Sequence, residues 1–183
     1  SFVRLPPAPP RQASPTPVLE IVRRPAFLTA AITGAVAYGV MNLLMVATPL
    51  EMMSCGFALA ASATVIQAHA LAMFAPGFFT GRLIARFGVR RIIAVGALLT
   101  MACVLVAVMG ISFGHFAIAL ALLGLGWNFM FTGATTLLAE AHSPAERVRA
   151  QAANDFIVFG TVACTALGSG WVHAAFGWTV QNL

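Results

Sequence analysis

The fold class this sequence predicts is an all-α membrane bundle, and three observations carry that prediction. First, 60% of the residues are hydrophobic and only 8% are charged, with a mean hydropathy of +0.92, whereas a soluble domain carries about 25% charged residues. Second, five stretches approach the roughly 20 apolar residues that a helix needs to cross a bilayer: Phe27–Leu50, Leu59–Thr80, Ile92–Met109, His115–Ala139 and Ala150–Ala175. Third, the ten basic residues, all arginine, fall into three clusters at Arg4–Arg24, Arg82–Arg91 and Arg147–Arg149. If the apolar segments cross once each, every cluster lands on one side. That arginine asymmetry marks the cytoplasmic side and places the N-terminus inside.

Each element has its own local reason. Residues 1–24 hold Pro6, Pro7, Pro9, Pro10, Pro15 and Pro17 with four arginines, so they are expected to form an extended cytosolic linker instead of a helix. The transmembrane bundle then runs from residue 25 to 183, with Pro25 at its start. The short connections Glu51–Gly56, Gly110–Gly114 and Phe176–Trp178 contain no basic residue, as outer loops should. Ile92–Met109 has no side chain more polar than Thr100 and Cys103, which predicts a peripheral helix facing lipid almost all round. Ser143-Pro144-Ala145-Glu146 reads as a helix start, with an N-cap hydroxyl, proline at the first helical position and a reciprocal glutamate. The chain stops soon after Trp178, so it reads as a fragment holding five transmembrane helices and the start of a sixth.

Several function classes drop out. The net charge of +5 is not a nucleic-acid footprint, because the arginines sit at the ends of apolar runs; anionic lipid headgroups of the bilayer are the expected partner. Cys55, Cys103 and Cys164 have no CxxC or Cys/His spacing, so neither a disulfide framework nor a metal site is indicated, and no cofactor motif is present. HExxH, GxSxG and paired-aspartate arrangements are missing from the spans, which argues against an intramembrane enzyme.

Between the second and third spans the chain reads Gly81-Arg82-Leu83-Ile84-Ala85-Arg86-Phe87-Gly88-Val89-Arg90-Arg91. This resembles the cytoplasmic loop signature of the major facilitator superfamily: glycine, x, leucine, x, aspartate, arginine, x, glycine, then basic residues. Gly81, Arg86, Gly88, Arg90 and Arg91 match, and Ala85 stands in place of the aspartate. Gly81 is expected to let two helices approach and Gly88 to permit a tight turn. The signature occurs in both six-helix halves of that family and is often degenerate in the second. The resemblance therefore implies the second half, with these spans as helices seven to eleven of twelve and the proline-rich stretch as the central loop. It covers nearly the whole chain from about Arg23, and the runs Met45–Leu50 and Gln151–Phe156 are similar to stretches of bacterial members. What it implies is a secondary transporter in a bacterial inner membrane, moving a small solute by alternating access together with an N-terminal six-helix half. The alternative is a noncatalytic scaffold, a helical bundle that binds a partner.

On that resemblance the first and fourth spans line a central cavity, and the second and fifth pack against the other half. Helical spacing singles out residues independently. Gly34, Tyr38, Asn42 and Met45 share one face of the first span, with Tyr38 about 16 Å along the helix and near the midplane. Gly124, Asn128, Thr132 and Thr135 repeat the pattern on the fourth, beside Trp127. Tyr38, Asn42, Trp127, Asn128 and Thr132 are therefore the substrate-binding residues expected, with interhelical hydrogen bonding or packing as the competing role. His69 is the mid-span group that titrates near neutral pH, which suits either proton coupling or a neutral interhelical bond. Near the arginine loop, Arg86 or Arg90 is expected to pair with Glu140 or Asp155 as a cytosolic gate, and Glu51 is expected to be solvated. Gly77-Phe-Phe-Thr-Gly81, Gly168 and Gly170 are expected to serve close helix packing.

Overall fold

The computed structural model describes residues 16–182, and it is helical throughout. The elements are α1 (Val18–Val22), α2 (Pro25–Ser54), α3 (Leu59–Phe74), α4 (Gly77–Phe87), α5 (Val89–Met109), α6 (Phe113–Glu140) and α7 (Pro144–Asn182). Four of these helices are long and apolar enough to cross a membrane, and α3 with α4, bent by 42° at their junction, brings the number of candidate spans to five if the pair crosses as one. The architecture is that of an integral membrane bundle. Residues 1–15 of the expected linker lie outside the described residues.

The helix starts follow from local chemistry. Arg24 is extended (ψ 135°) and Pro25 occupies the first turn of α2, where its missing N–H has no intrahelical partner to lose. Ser112 caps α6, its side chain accepting from the His115 N–H. At α7 the Ser143 hydroxyl and backbone N–H both reach Glu146 Oε2, at 2.9 and 3.2 Å. Gly88 joins α4 to α5 as a single residue at φ 88°, a left-handed conformation that favours glycine. A second glycine, Gly177 at φ 74°, interrupts α7. The short helical run beyond it starts at Trp178, which is anchored by Nε1 donating to the Ala107 carbonyl at 3.0 Å.

Three expectations need correction here. The segment before Pro25 is not extended throughout, because α1 forms where prolines stop after Pro17. Its Ile21 is fully buried among Phe27, Ala30, Ala31, Leu138 and Ala150. The second span is broken, because Pro76 cannot donate to the carbonyl of Ala72. The signature stretch is mostly helix, with Gly81–Phe87 inside α4 and only Gly88 acting as a turn.

Packing centres on α6, which lies against α2, α3 and α5. Backbone proximity is set by its glycines. A Cβ on Gly126 would lie 2.8 Å from the Gly96 carbonyl oxygen, and one on Gly124 would lie 2.6 Å from that of His69. On Gly96 it would lie 2.8 Å from the Gly126 oxygen, so α5 and α6 meet glycine to glycine. A Cβ at Gly81, Gly168 or Gly170 would meet open space, so the glycines expected to pack are not those that do. Gly77 allows only ordinary contact with Asn128, at 3.7 Å. Helix α5 buries Ile92, Gly96, Cys103 and Ala107, so one face is committed to α6, while Val95, Leu98, Met101 and Leu105 on the rest are exposed.

Candidate functional site

An aromatic strip crosses the middle of the bundle. Tyr38 on α2 meets Trp127 on α6 edge-on with centroids 5.1 Å apart, and meets Phe131 at 5.0 Å. Trp127 stacks on Phe131 at 4.9 Å with ring planes 15° apart. Phe74 extends the strip from Trp127 at 6.4 Å, and Phe159 on α7 extends it from Tyr38 at 6.1 Å. Four different spans thus contribute, all near mid-length. Tyr38 is the fourteenth of 30 residues in α2, Trp127 the fifteenth of 28 in α6, and Phe74 ends α3 at the bend. Edge-to-face and offset contacts of this kind suit the ring quadrupoles.

Exposure grades along the strip. Trp127 is 6% exposed, while Phe74 is 65% and Phe159 58%. The buried centre holds the strip together, and its two ends are open surface. The Trp127 indole N–H is buried without a hydrogen-bond partner, a condition that costs about 1–3 kcal/mol. By contrast, a groove beside the bend, about 590 Å³ and bordered by Ala72, Pro76, Phe79, Leu122 and Leu125, has apolar lining side chains alone.

The other expected site residues fall in different surroundings. Asn42 donates Nδ2 to the Val162 carbonyl at 3.2 Å and to the Thr165 hydroxyl at 3.1 Å, so it ties α2 to α7. Asn128 is 5% exposed and has both amide atoms engaged: Nδ2 donates to the Met73 carbonyl at 2.9 Å, and Oδ1 accepts from Thr80 Oγ1 at 2.6 Å. Neither amide is presented to the open ends of the strip. Thr132 is half-buried one turn beyond Asn128, and its carbonyl accepts from the Thr135 and Thr136 hydroxyls. His69 is 1% exposed and lies 2.8 Å through Nδ1 from the Leu120 carbonyl. A carbonyl only accepts, so Nδ1 carries the proton, and in the neutral ring the buried Nε2 is a lone pair with no donor. Phe74, Phe131 and Phe159 were missed in sequence, although Phe131 follows Trp127 by one helical turn.

The expected gate is not formed in this conformation. Arg86 and Arg90 are exposed, Arg86 lying 5.2 Å from the Phe87 ring centroid. Glu140 is exposed, and Asp155 instead accepts from Gln151 Nε2 at 2.7 Å. For Asp155 the reason is placement: α4 packs on α5 and α6, whereas Asp155 rides on α7, which packs mainly on α2. An ion pair at this end joins Arg24 to Glu146 through two hydrogen bonds of 2.8 and 3.1 Å, with Glu20 3.8 Å from the same guanidinium. Hydrogen bonding to Glu146 raises the pKa of the Arg24 guanidinium above its ordinary value. Arg149 adds a bond to the Thr16 carbonyl at 3.0 Å. Together they fasten the segment around α1 to the start of α7. Arg24→Glu is expected to expose that segment and speed tryptic cleavage at Arg23 severalfold, and adding Glu146→Arg to restore protection. At the opposite end Glu51 is not freely solvated, because His173 Nε2 lies 3.6 Å from its carboxylate and the Glu51 side chain is 17% exposed.

A bundle of four to five candidate spans around a mid-span aromatic strip defines a polytopic membrane protein with a candidate solute surface. Residues 30–180 match the family model described as Major Facilitator Superfamily, and the chain belongs to that family, whose members are membrane transporters and not enzymes. Among curated relatives it is 46% identical over 166 residues to the riboflavin transporter RfnT of Brucella anthropi, covering 91% of this chain and 42% of that protein. It is 30% identical over 164 residues to YddS of Bacillus subtilis, an uncharacterized MFS-type transporter, covering 88% and 38% respectively. A second such protein from that organism, YdeG, is 34% identical over 146 residues, covering 79% of this chain and 34% of its own length. The chain thus spans about two fifths or less of each relative. No solved structure matches it.

Proposed function

We propose that this chain belongs to the second six-helix half of a secondary transporter that carries a flat heteroaromatic solute by alternating access, with riboflavin the first solute to test. The observation that carries the reading is the mid-span strip of Tyr38, Phe74, Trp127, Phe131 and Phe159, open at both ends and holding an unpartnered indole donor. Midplane sites are where transporters of this kind bind. A planar ring would stack against the open ends of the strip, and a ring carbonyl or ring nitrogen would accept from the buried Trp127 N–H once the neighbouring rings part to admit it. The name of the Brucella relative supports the same solute class. The first six helices would come from the remainder of the protein, facing the exposed ends of the strip. The three arginine clusters support a bacterial inner membrane location with the basic end cytoplasmic.

His69 is the proposed proton acceptor, since its Nε2 is a buried lone pair with no donor. The test is uptake of labelled riboflavin and a metabolite panel by the full-length transporter in proteoliposomes, with and without an imposed proton gradient. Gradient-driven accumulation is expected, and His69→Gln, which keeps a donor for Leu120, is expected to abolish the response to the gradient while solute exchange continues. Uptake of ring-free solutes alone would refute the solute assignment, and coupling that survives His69→Gln would remove His69 from the proton path.

A further inference from the structure

We propose that Asn128 is the pin of a hinge at Pro76, tying the bend between α3 and α4 to the aromatic strip; it is a positioning residue for the transport step and rests on the transport reading above. The bend leaves carbonyls without their helical donors. Ala75 still donates to the Leu71 carbonyl, Pro76 has no N–H, and the next donors turn to nearer acceptors, Phe78 to Ala75 and Phe79 to Pro76, before Thr80 resumes the ordinary bond four residues back, also to Pro76. The Met73 carbonyl is then supplied by the Asn128 side chain from α6, at 2.9 Å. In hydrocarbon such a carbonyl has no water to fall back on. The carbonyl requires Nδ2 to face it, so Oδ1 faces Thr80, whose hydroxyl lies 2.6 Å away and also 2.8 Å from the Pro76 carbonyl. Thr80 is fully buried. The amide therefore grips both sides of the break at once, the last turn of α3 and the first turn of α4.

The pin is also covalently next to the strip on both of its helices. Trp127 precedes Asn128, and Phe74 follows Met73. A solute that shifts Phe74 against Trp127 acts directly on the two residues whose hydrogen bond holds the bend. Below the bend, α4 carries Arg82 and Arg86 to the Gly88 turn, so a change of tilt at Pro76 moves that whole corner. Gly77 does not enforce the bend, because a Cβ there would meet Asn128 Nδ2 at an ordinary 3.7 Å. What holds the angle is the amide.

The experiment uses full-length transporter in nanodiscs, with spin labels at Ala85→Cys on α4 and Ala139→Cys on α6 in a cysteine-free background, and riboflavin as the added solute. One narrow distance distribution is expected without solute. Asn128→Leu and the isosteric Thr80→Val are expected to broaden it, and Thr80→Ser, which keeps the hydroxyl, to restore it. In uptake both disruptive variants should lower the maximal rate about tenfold with KM unchanged. Wild-type distributions in both disruptive variants would overturn the proposal, as would a raised KM with the maximal rate intact, which would make Asn128 a solute contact. Should Asn128→Leu fail to fold, Thr80→Val and Thr80→Ser decide alone. If the unsubstituted transporter moves no solute, the transport reading fails, while the solute-free distances still decide the pin.

Discussion

Trp127→Ala is expected to damage both folding and solute binding, and Trp127→Phe only the second. Trp127 is 6% exposed and touches Tyr38, Phe74 and Phe131 with centroids between 4.9 and 6.4 Å apart. Lipid tails are as apolar as the bundle interior, so losing the indole does not forfeit a transfer energy. What remains is the cavity and its missing contacts, about 2–3 kcal/mol for a side chain this large. The same deletion removes the middle of the stacking surface, worth about 0.5–1.5 kcal/mol per ring pair, which together with the lost indole donor corresponds to roughly tenfold or more in affinity. Phenylalanine keeps a ring but has no N–H. Since the indole N–H makes no hydrogen bond within the bundle, Trp127→Phe should leave the unfolding transition of the detergent-solubilised protein near its original temperature. Its riboflavin affinity should nevertheless fall, and analogues without ring acceptors should lose less. Equal losses for all solutes would reduce the strip to packing.

The contrast between Trp127 and Asn128 shows how far the sequence could be read. The apolar helices, the start signals at Pro25 and Ser143-Pro144, and the arginine asymmetry are local or compositional properties, and they are legible. Tyr38 and Trp127 were legible as mid-span residues. Their partners Phe74 and Phe159 were not, because each comes from a different helix, no spacing along the chain links them, and they stand among 14 phenylalanines. Asn128 looked like a solute contact because a mid-span amide must bond something. What it bonds is a carbonyl freed by Pro76 on another helix, and the broken span itself was hidden inside a continuous apolar run. Glu146 was assigned to its cap correctly, but its second partner, Arg24, lies 122 positions away. Charges near one membrane face have several possible partners, and helix placement decides among them.

Small residues set the same problem at higher stakes, and Gly124→Val gives the sharpest outcome. The pattern Gly77-x-x-x-Gly81 has the spacing of a helix-association motif, yet Gly81 faces open space, whereas Gly124 sits against α3 with no room for a methyl group. Its ideal Cβ would be 2.6 Å from the His69 carbonyl oxygen and 3.0 Å from the Met73 nitrogen. Both are backbone atoms and cannot rotate away, so α3 and α6 must separate to accept valine. That separation strains the His69 to Leu120 hydrogen bond and the Asn128 to Met73 bond, which cross the same interface at 2.8 and 2.9 Å. Overpacking alone costs about 1–3 kcal/mol, and each buried polar group left unpaired adds about 1–3 kcal/mol, enough to prevent a marginally stable bundle from folding. Gly124→Val in the full-length transporter is therefore expected to yield aggregated or proteolysed protein, measured as loss of the monodisperse peak after detergent extraction. Gly81→Val, on the exposed face of α4, is expected to elute as the unsubstituted protein does. If the two variants behaved alike, close backbone contact between α3 and α6 would not be what holds these spans together.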